Sequence, residues 1–474
     1  MKRRDFIAQT SLATAGLIIS GKAVAQTGNG HFAEVRTAAA KRNFTSNAVE
    51  NIINNVQKNI GNKEIGWLFG NCFPNTLDTT VDFEMIDGKP DTYVITGDID
   101  AMWLRDSTAQ VWPYIPLCKG DKHLQQLIVG VINRQTKCIL LDPYANAFYK
   151  DVNKESEWKS DLTTMKPGIH ERKWEIDSLC YPVRLAYGYW KQTGDTTPFD
   201  ENWKAAMHLI IKTFKEQQRL TDKGPYTFQR TTAWATDGVP LSGYGYPVKP
   251  NGMICSMFRP SDDSTLFAYL VPSNFFAVEI LGYMQQLGSL SSIADKQLAA
   301  DAKTLQLQVK TALWKHGVIQ HPQFGKIIAF EVNGFGSFHM MDDANVPSLL
   351  SLPYLGAIKN NDPLYLTTRN VVLSGNNPFF YKGKAAEGVG GPHTGADTIW
   401  PMSIILRGIT SNNDKEIKMC LDMLQKTHAG TGFIHESINK DDADIYTRKW
   451  FAWANTLFGE FVWKVYRERK YLLS

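Results

Sequence analysis

The chain of 474 residues carries only six cysteines, Cys72, Cys118, Cys138, Cys180, Cys255 and Cys420, and no two of them form a C-x-x-C pair or a zinc-binding spacing. That scarcity excludes a dense disulfide scaffold and a structural zinc module. After residue 25 no apolar run is long and uninterrupted enough to span a bilayer as a helix. Basic blocks are missing too: the net charge of +4 is spread along the chain, so nothing favours nucleic acid as a partner. A Gly-rich phosphate loop, a serine nucleophile elbow, an EF-hand loop and an H-E-x-x-H motif are all absent. What is abundant is aromatic: 12% Phe, Trp and Tyr, with 13 Trp, in a chain otherwise ordinary at 43% hydrophobic and 21% charged. Excess Trp and Tyr suits carbohydrate or aromatic ligands, although large helical cores absorb such residues as well.

The first 25 residues have the parts of an export signal: the basic MKRRDFI, an apolar small-residue run over 11–21, and an A-x-A site ending at Ala25. Arg3 and Arg4 followed by x-Phe-Ile resemble a twin-arginine signal, which exports proteins already folded. The expectation is a periplasmic protein in which 26–43 is a polar linker and 44–474 is one domain. Folding in a reducing cytoplasm before export implies mostly free thiols. No Cys stands at the cleavage site to carry a lipid, so no membrane partner is expected, and the protein is expected to act as a monomer.

Hydrophobic periodicity supplies the architecture. Val49, Ile52, Ile53, Val56 and Ile60 recur at helical spacing, as do Leu124, Leu127, Ile128 and Val131. The stripe Ile176, Leu179, Cys180, Val183, Tyr187, Trp190 stops at Gly194, and Trp203, Met207, Ile210 and Phe214 follow after a short turn. Further helices are expected over 274–286, 298–313, 346–356, 399–407 and 417–424, with a last one through Leu457, Phe461 and Val465. Strands are expected over 81–95 and 327–332, a loop around Trp67, Phe69 and Phe73, and an interruption at Pro113 and Pro116. Helix, short turn, helix, long loop thus repeats along the chain. Helix pairs that cannot bury both faces alone must stack on neighbours, and a closed ring removes exposed ends. The predicted fold is all-α, an (α/α)6 toroid with long loops and short strands on one rim.

Each long loop carries a charged cluster. Residues 97–107, GDIDAMWLRDS, crowd Asp98, Asp100 and Asp106 with Arg105 and Trp103. Others are HERKWEID at 170–177, FRPSDDS at 258–264, HMMDD at 339–343, GGPH at 390–393 and FIHES at 433–437. Any one Asp at a helix start is most simply a cap. Six such clusters, all at junctions between loop and helix, point to a shared site. Arg105 beside Asp106 is a fork suited to vicinal hydroxyls, and Trp103 offers a flat face for the C–H side of a sugar ring. Paired carboxylates under aromatic walls suit glycoside hydrolysis by an acid and a base. The competing reading is a hard divalent cation held by Asp98 and Asp100 or by Asp342 and Asp343.

The segments GDIDAMWLRDS, FRPSDDS, MDDANVPSLL (341–350), GVGGPH (388–393) and IHES (434–437) resemble, in order, the motifs of the glycoside hydrolase family 125 exo-α-1,6-mannosidases. The resemblance implies the (α/α)6 barrel and inverting removal of terminal α-1,6-linked mannose from oligosaccharides of the N-glycan type, with no metal and no cofactor. It places the general acid on an Asp of FRPSDDS. Asp262 is the choice, because Ser264 supplies the small hydroxyl two positions on that related barrel glycosidases show, with Asp263 as alternative. The general base maps to Glu436. Asp98, Trp103, Arg105 and Asp106 would hold the terminal mannose, with Arg259, His339, Asp342, His393 and His435 as further wall residues. Two other classes remain open: a catalytically silent mannose-binding protein, and a polysaccharide lyase on the same toroid, which would need a strongly basic cleft.

Overall fold

Five helices form most of an inner ring and are buried nearly all the way round. They are Leu104–Val111, Ile176–Thr193, Val271–Gly288, Pro401–Ile409 and Ala452–Glu468. Leu104–Val111 packs on Ile176–Thr193, which packs on Val271–Gly288, while Pro401–Ile409 packs on Ala452–Glu468. Ala452–Glu468 then returns to Leu104–Val111 and closes the ring. The outer helices bury one stripe each: Lys63–Cys72, Lys122–Leu141, Glu201–Gln217, Lys296–His316, Pro363–Val372 and Asp414–Lys426. This computed structural model describes residues 26–27 and 31–474, and the fold is the expected (α/α)6 toroid. The expected signal segment, 1–25, lies outside the described residues.

Three small antiparallel sheets sit on one rim and feed the inner ring two elements at a time. Met102–Trp103 pairs with Ala147–Phe148, which pairs with Ile169–Glu171. Its first strand runs directly into Leu104–Val111 and its third leads to Ile176–Thr193. Tyr269–Leu270, Glu331–Val332 and Phe338–His339 repeat the arrangement, with Glu331 opposite Leu270 on one side and His339 on the other. Thr398–Ile399, Ser437–Asn439 and Tyr446–Thr447 form the third copy, ahead of Pro401–Ile409 and Ala452–Glu468. Two residues of strand are enough here because each sheet only has to fix where a helix begins.

Several expectations are corrected. The sixth inner element, expected as a helix over 346–356, is a run of turns. Pro353 has no N–H to give to Leu349, and the local bonds alternate between Ser351 N to Ser348 O and Leu355 N to Ser351 O, so no helical ladder builds. The expected loop at Trp67 is instead the helix Lys63–Cys72, started by Asn62, whose side chain accepts from Ile65 N. Its glycines obscure the periodicity but serve packing: a Cβ on Gly70 would meet Gln57 Nε2 at 2.3 Å. Residues from Phe32 onward in the expected linker are docked, with Arg36 bound to both Asp78 (2.7 Å) and Glu50 (2.5 Å) and Phe32 stacked on Trp67.

The hairpin Val81–Ile86 with Lys89–Val94 matches the predicted strands, and the helix ending at Val111 gives way to a 3-10 helix over Trp112–Gly120 where the prolines fall. All six cysteines are buried free thiols. Among the described residues no helix is long and apolar enough to cross a membrane.

Candidate active site

The inner helices begin at the rim sheets, and their first residues carry the charge. Arg105, in the first turn of Leu104–Val111, is buried and gathers carboxylates from three elements. Its Nη1 donates to Glu175 Oε2 at 2.5 Å and to Asp177 Oδ2 at 3.3 Å, and its Nη2 donates to Asp262 Oδ1 at 3.2 Å. Asp106 Oδ2 lies 3.4 Å from its Nε. Four carboxylates around one guanidinium cannot all be ionised out of water, since each unmatched buried charge costs several kcal/mol. The titration directions follow. Burial pushes Asp106 and Asp177 up to about 6 and Glu175 well above the usual carboxylate range, against the pull of Arg105.

Asp262 occupies the left-handed region at φ +64°, a conformation that Asp tolerates better than most residues. The turn holds it through its own N–H to Arg259 O (2.9 Å) and through Lys173 Nζ, which donates to the Asp262 carbonyl at 2.9 Å. Its side chain keeps 17% exposure, whereas Glu175 and Asp177 behind it keep none. Burial acts to raise Asp262, but the Arg105 charge and a hydrogen bond from Glu175 outweigh it and hold Asp262 below its ordinary range. Asp263 faces the other way. It is fully buried, accepts from Thr236 Oγ1 at 2.7 Å and lies 3.6 Å from His393 Nδ1.

Glu436 directly precedes the strand Ser437–Asn439, accepts from Thr447 Oγ1 at 2.9 Å and from Arg448 Nη1 at 3.4 Å, and keeps 10% side-chain exposure. Arg448 Nε also donates to Asp98 Oδ1 at 2.7 Å, and its Nη2 reaches the same oxygen. Arg448 and Asp106 feel each other's charge, so Glu436, Arg448, Asp106, Arg105 and Asp262 form one charged chain across the floor of the funnel. The seam at this floor is tight: Asp98 N donates to Trp450 O at 3.3 Å, and at Gly97, φ +134°, a Cβ would stand 2.3 Å from that carbonyl oxygen. Only glycine fits there.

With this geometry in view, similarity to known proteins decides the family. The sequence model described as metal-independent alpha-mannosidase (GH125) matches residues 62–463. The chain belongs to this family. It is therefore a glycoside hydrolase of the GH125 α-mannosidase type. It is 41% identical over 457 residues to the meiotically up-regulated gene 157 protein of Schizosaccharomyces pombe, covering 93% of this chain and 89% of that one. It is also similar, at 41% identity and a TM-score of 0.85, to a metal-independent α-mannosidase of Streptococcus pneumoniae solved in a non-productive complex with α-1,6-mannobiose, over 90% of this chain and all of that one.

The other residues named from the sequence of this GH125 α-mannosidase fall into two groups. Asp98, Arg105, Asp106, Asp262 and Glu436 come together as described. Trp103 is placed beside them but keeps only 6% exposure, packed edge-on against His170 rather than lying open as a platform. Arg259 is spent on Glu331 (2.7 Å), which His339 approaches from 3.5 Å with its own side chain part-exposed. His435 is buried against Tyr446, with Nδ1 3.2 Å from the Arg448 carbonyl, and burial pushes it down to about 4. It positions Arg448 and does not line the funnel. Asp342 is likewise corrected: it is fully buried, and its two oxygens accept from Leu349 N and Leu350 N, organising the turns of the sixth inner element. Asp98 and Asp100 do not converge for a cation, because Asp98 is bound to Arg448 and Asp100 is exposed beside Lys154.

Residues without an assigned role in the sequence prove central. Asn146 Nδ2 lies within 3.5 Å of Glu171, Glu175 and Asp262. Lys173 is buried, donates to Asp237 at 2.7 Å and lies 3.3 Å from Glu171. The cluster 170–177 signalled chemistry by its density, but which of its five charged residues faced inward depended on a strand of three residues that periodicity cannot resolve.

Proposed function

We propose that this α-mannosidase is exo-acting, cleaves terminal α-1,6-linked mannose from oligosaccharides of the N-glycan type, and does so with inversion and without a metal. The observation that carries the reading is that Asp262 and Glu436 stand at the two ends of one charged chain and both keep some solvent exposure, 17% and 10%. Asp262 is the acid and Glu436 the base. Asp263, the alternative acid, is committed to Thr236 inside the protein. The mannobiose bound by the pneumococcal relative supports the linkage.

In this mechanism Glu436 accepts a proton from water, and the resulting hydroxide equivalent attacks the anomeric carbon as the glycosidic oxygen leaves with a proton from Asp262. Arg448 and Thr447 orient the base. Asp98, Arg105 and Asp106 bind the hydroxyls of the terminal mannose, and the Gly97–Trp450 seam closes the funnel behind one sugar, which makes the cut exo. Inversion needs room for the water, so the two carboxyl groups should stand about 6.5–9.5 Å apart in the substrate complex. The chain acts as a monomer in the periplasm, a placement supported by the N-terminal sequence alone.

The test is digestion of α-1,6-mannobiose beside its α-1,2 and α-1,3 isomers with NMR observation of the first product. Preferential cleavage of the 1,6 isomer with release of β-mannose is expected; initial α-mannose overturns inversion, and equal cleavage overturns the linkage. Glu436→Gln should lower kcat/KM by about 10³–10⁴-fold with no loss of thermal stability.

A further inference from the structure

Glu175 is the carboxyl group that shares two donors with the acid and has no contact with solvent of its own. It is fully buried at the entrance of Ile176–Thr193, and its carboxyl meets Arg105 (2.5 Å), Ser178 Oγ (3.0 Å) and Asn146 Nδ2 (3.5 Å). Asn146 and Arg105 each also bond Asp262 Oδ1, at 3.4 and 3.2 Å, so two donors hold the two carboxyl groups against each other. Two carboxyl groups gripped by the same two donors out of bulk water repel when both are ionised, and one proton between them removes the repulsion. Glu175 is the better holder, because Asp262 is the member with access to water, which stabilises its ionised form.

We propose that Glu175 is a positioning residue that keeps one proton on the Glu175–Asp262 pair and passes it to Asp262 as Asp262 gives a proton to the departing oxygen. This rests on the assignment of Asp262 as the acid. The charges facing Glu175 from every side agree. From Leu104–Val111 come Arg105 and Asp106, from its own helix Asp177, and from the 258–264 loop Asp262. Glu171 faces the same Asn146, and Lys173 is occupied by Asp237 and Glu171. The buried Tyr226 adds a group that stays neutral. Negative groups outnumber the free positive ones, and a proton on the pair is the cheapest correction.

The cycle balances. On cleavage, the glycosidic oxygen takes the bonding electron pair and the proton of the pair, delivered by Asp262, while Glu436 takes a proton from the attacking water. The Glu175–Asp262 pair is then doubly ionised. Solvent returns one proton to it through Asp262, and Glu436 releases one.

The experiment compares wild type, Glu175→Gln and Glu175→Asp on α-1,6-mannobiose and on α-mannosyl fluoride, whose departing fluoride needs little help from an acid. Gln donates permanently to Asp262 and carries no exchangeable proton, so it stabilises ionised Asp262. In Glu175→Gln the alkaline limb of kcat/KM on mannobiose should move toward acid by about one pH unit or more. At neutral pH the loss on mannobiose should exceed the loss on the fluoride by roughly 30-fold or more, with Glu175→Asp partly restoring both. An unmoved limb, or equal losses on the two substrates, overturns the proposal and leaves Glu175 a structural residue. If Glu175→Gln does not fold, the wild-type profile decides. A limb on mannobiose above about pH 6 that the fluoride lacks supports a shared proton, and a limb near pH 4 on mannobiose overturns it. A wild type that hydrolyses neither substrate refutes the mannosidase reading itself.

Discussion

The two rings of the barrel begin their helices in opposite ways. Seven helices that start away from the site are capped by a side chain: Ser46, Asn62, Asp121, Asp200, Asp295, Asp362 and Asn413 each accept a backbone N–H of the first turn. The five inner helices begin after Trp103, Glu175, Leu270, Trp400 and Phe451, and none of these side chains caps. At the outer starts a polar residue sets the helix boundary at the cost of one side chain. At the inner starts a rim strand sets it instead, which leaves the side chains free for other work and turns the positive ends of five helices toward the funnel. A field of that sign favours anions, which helps the site to hold Asp106, Glu175, Asp177, Asp262 and Glu436 at close quarters.

That contrast can be attacked from both sides. The largest stability effect belongs to Arg105→Ala, which strips the shared partner from three buried carboxylates and the part-exposed Asp262 and should cost about 3–5 kcal/mol in denaturant unfolding, with activity abolished. A loss under 1 kcal/mol would mean that the carboxylates do not depend on Arg105. Leu270→Ser installs a good capping residue at an inner start. If strands set these boundaries, the lost burial dominates and the protein is destabilised by about 2–4 kcal/mol; a gain in stability would break the comparison.

Asp177→Asn probes the proton load. Because burial pushes Asp177 up to about 6 in the fold against roughly 3.9 unfolded, the native state binds the extra proton, and the stability that Asp177 contributes is present below about pH 4 and is lost as pH rises through 6. The variant should flatten that fall, seen in midpoints of thermal melts across the window. The smallest effect is expected at Asp121→Ala, a cap that accepts from Leu124 N at 3.0 Å and Ser46 Oγ at 2.6 Å. About 1 kcal/mol should be lost, with kcat/KM on mannobiose unchanged.

The sequence carried the outer ring well because amphipathic stripes and Asp, Asn or Ser starts are local signals. Its miss in the inner ring is the sixth element, which lost its helix to Pro353, whereas the helix expected over 399–407 is present as Pro401–Ile409. The clusters were legible as clusters, and the choice between Asp262 and Asp263 was not, since it turns on one residue adopting φ +64° and sending its neighbour inward. His435 and Asp342 looked like wall residues because composition shows which groups are present and not which of them are already bonded. Glu175 stayed unassigned for the same reason: its importance lies in its contact with a residue 87 positions later, read from numbers 175 and 262.

The glycine seam at the funnel floor joins residue 97 to residue 450, so this floor is built from two segments about 350 residues apart in the chain. Asp98 has no Arg448 until the last inner helix has been synthesised and docked. The seam is in this sense a report that the ring is complete: a half-assembled chain could keep most of its helices and would still leave Asp98 without its arginine.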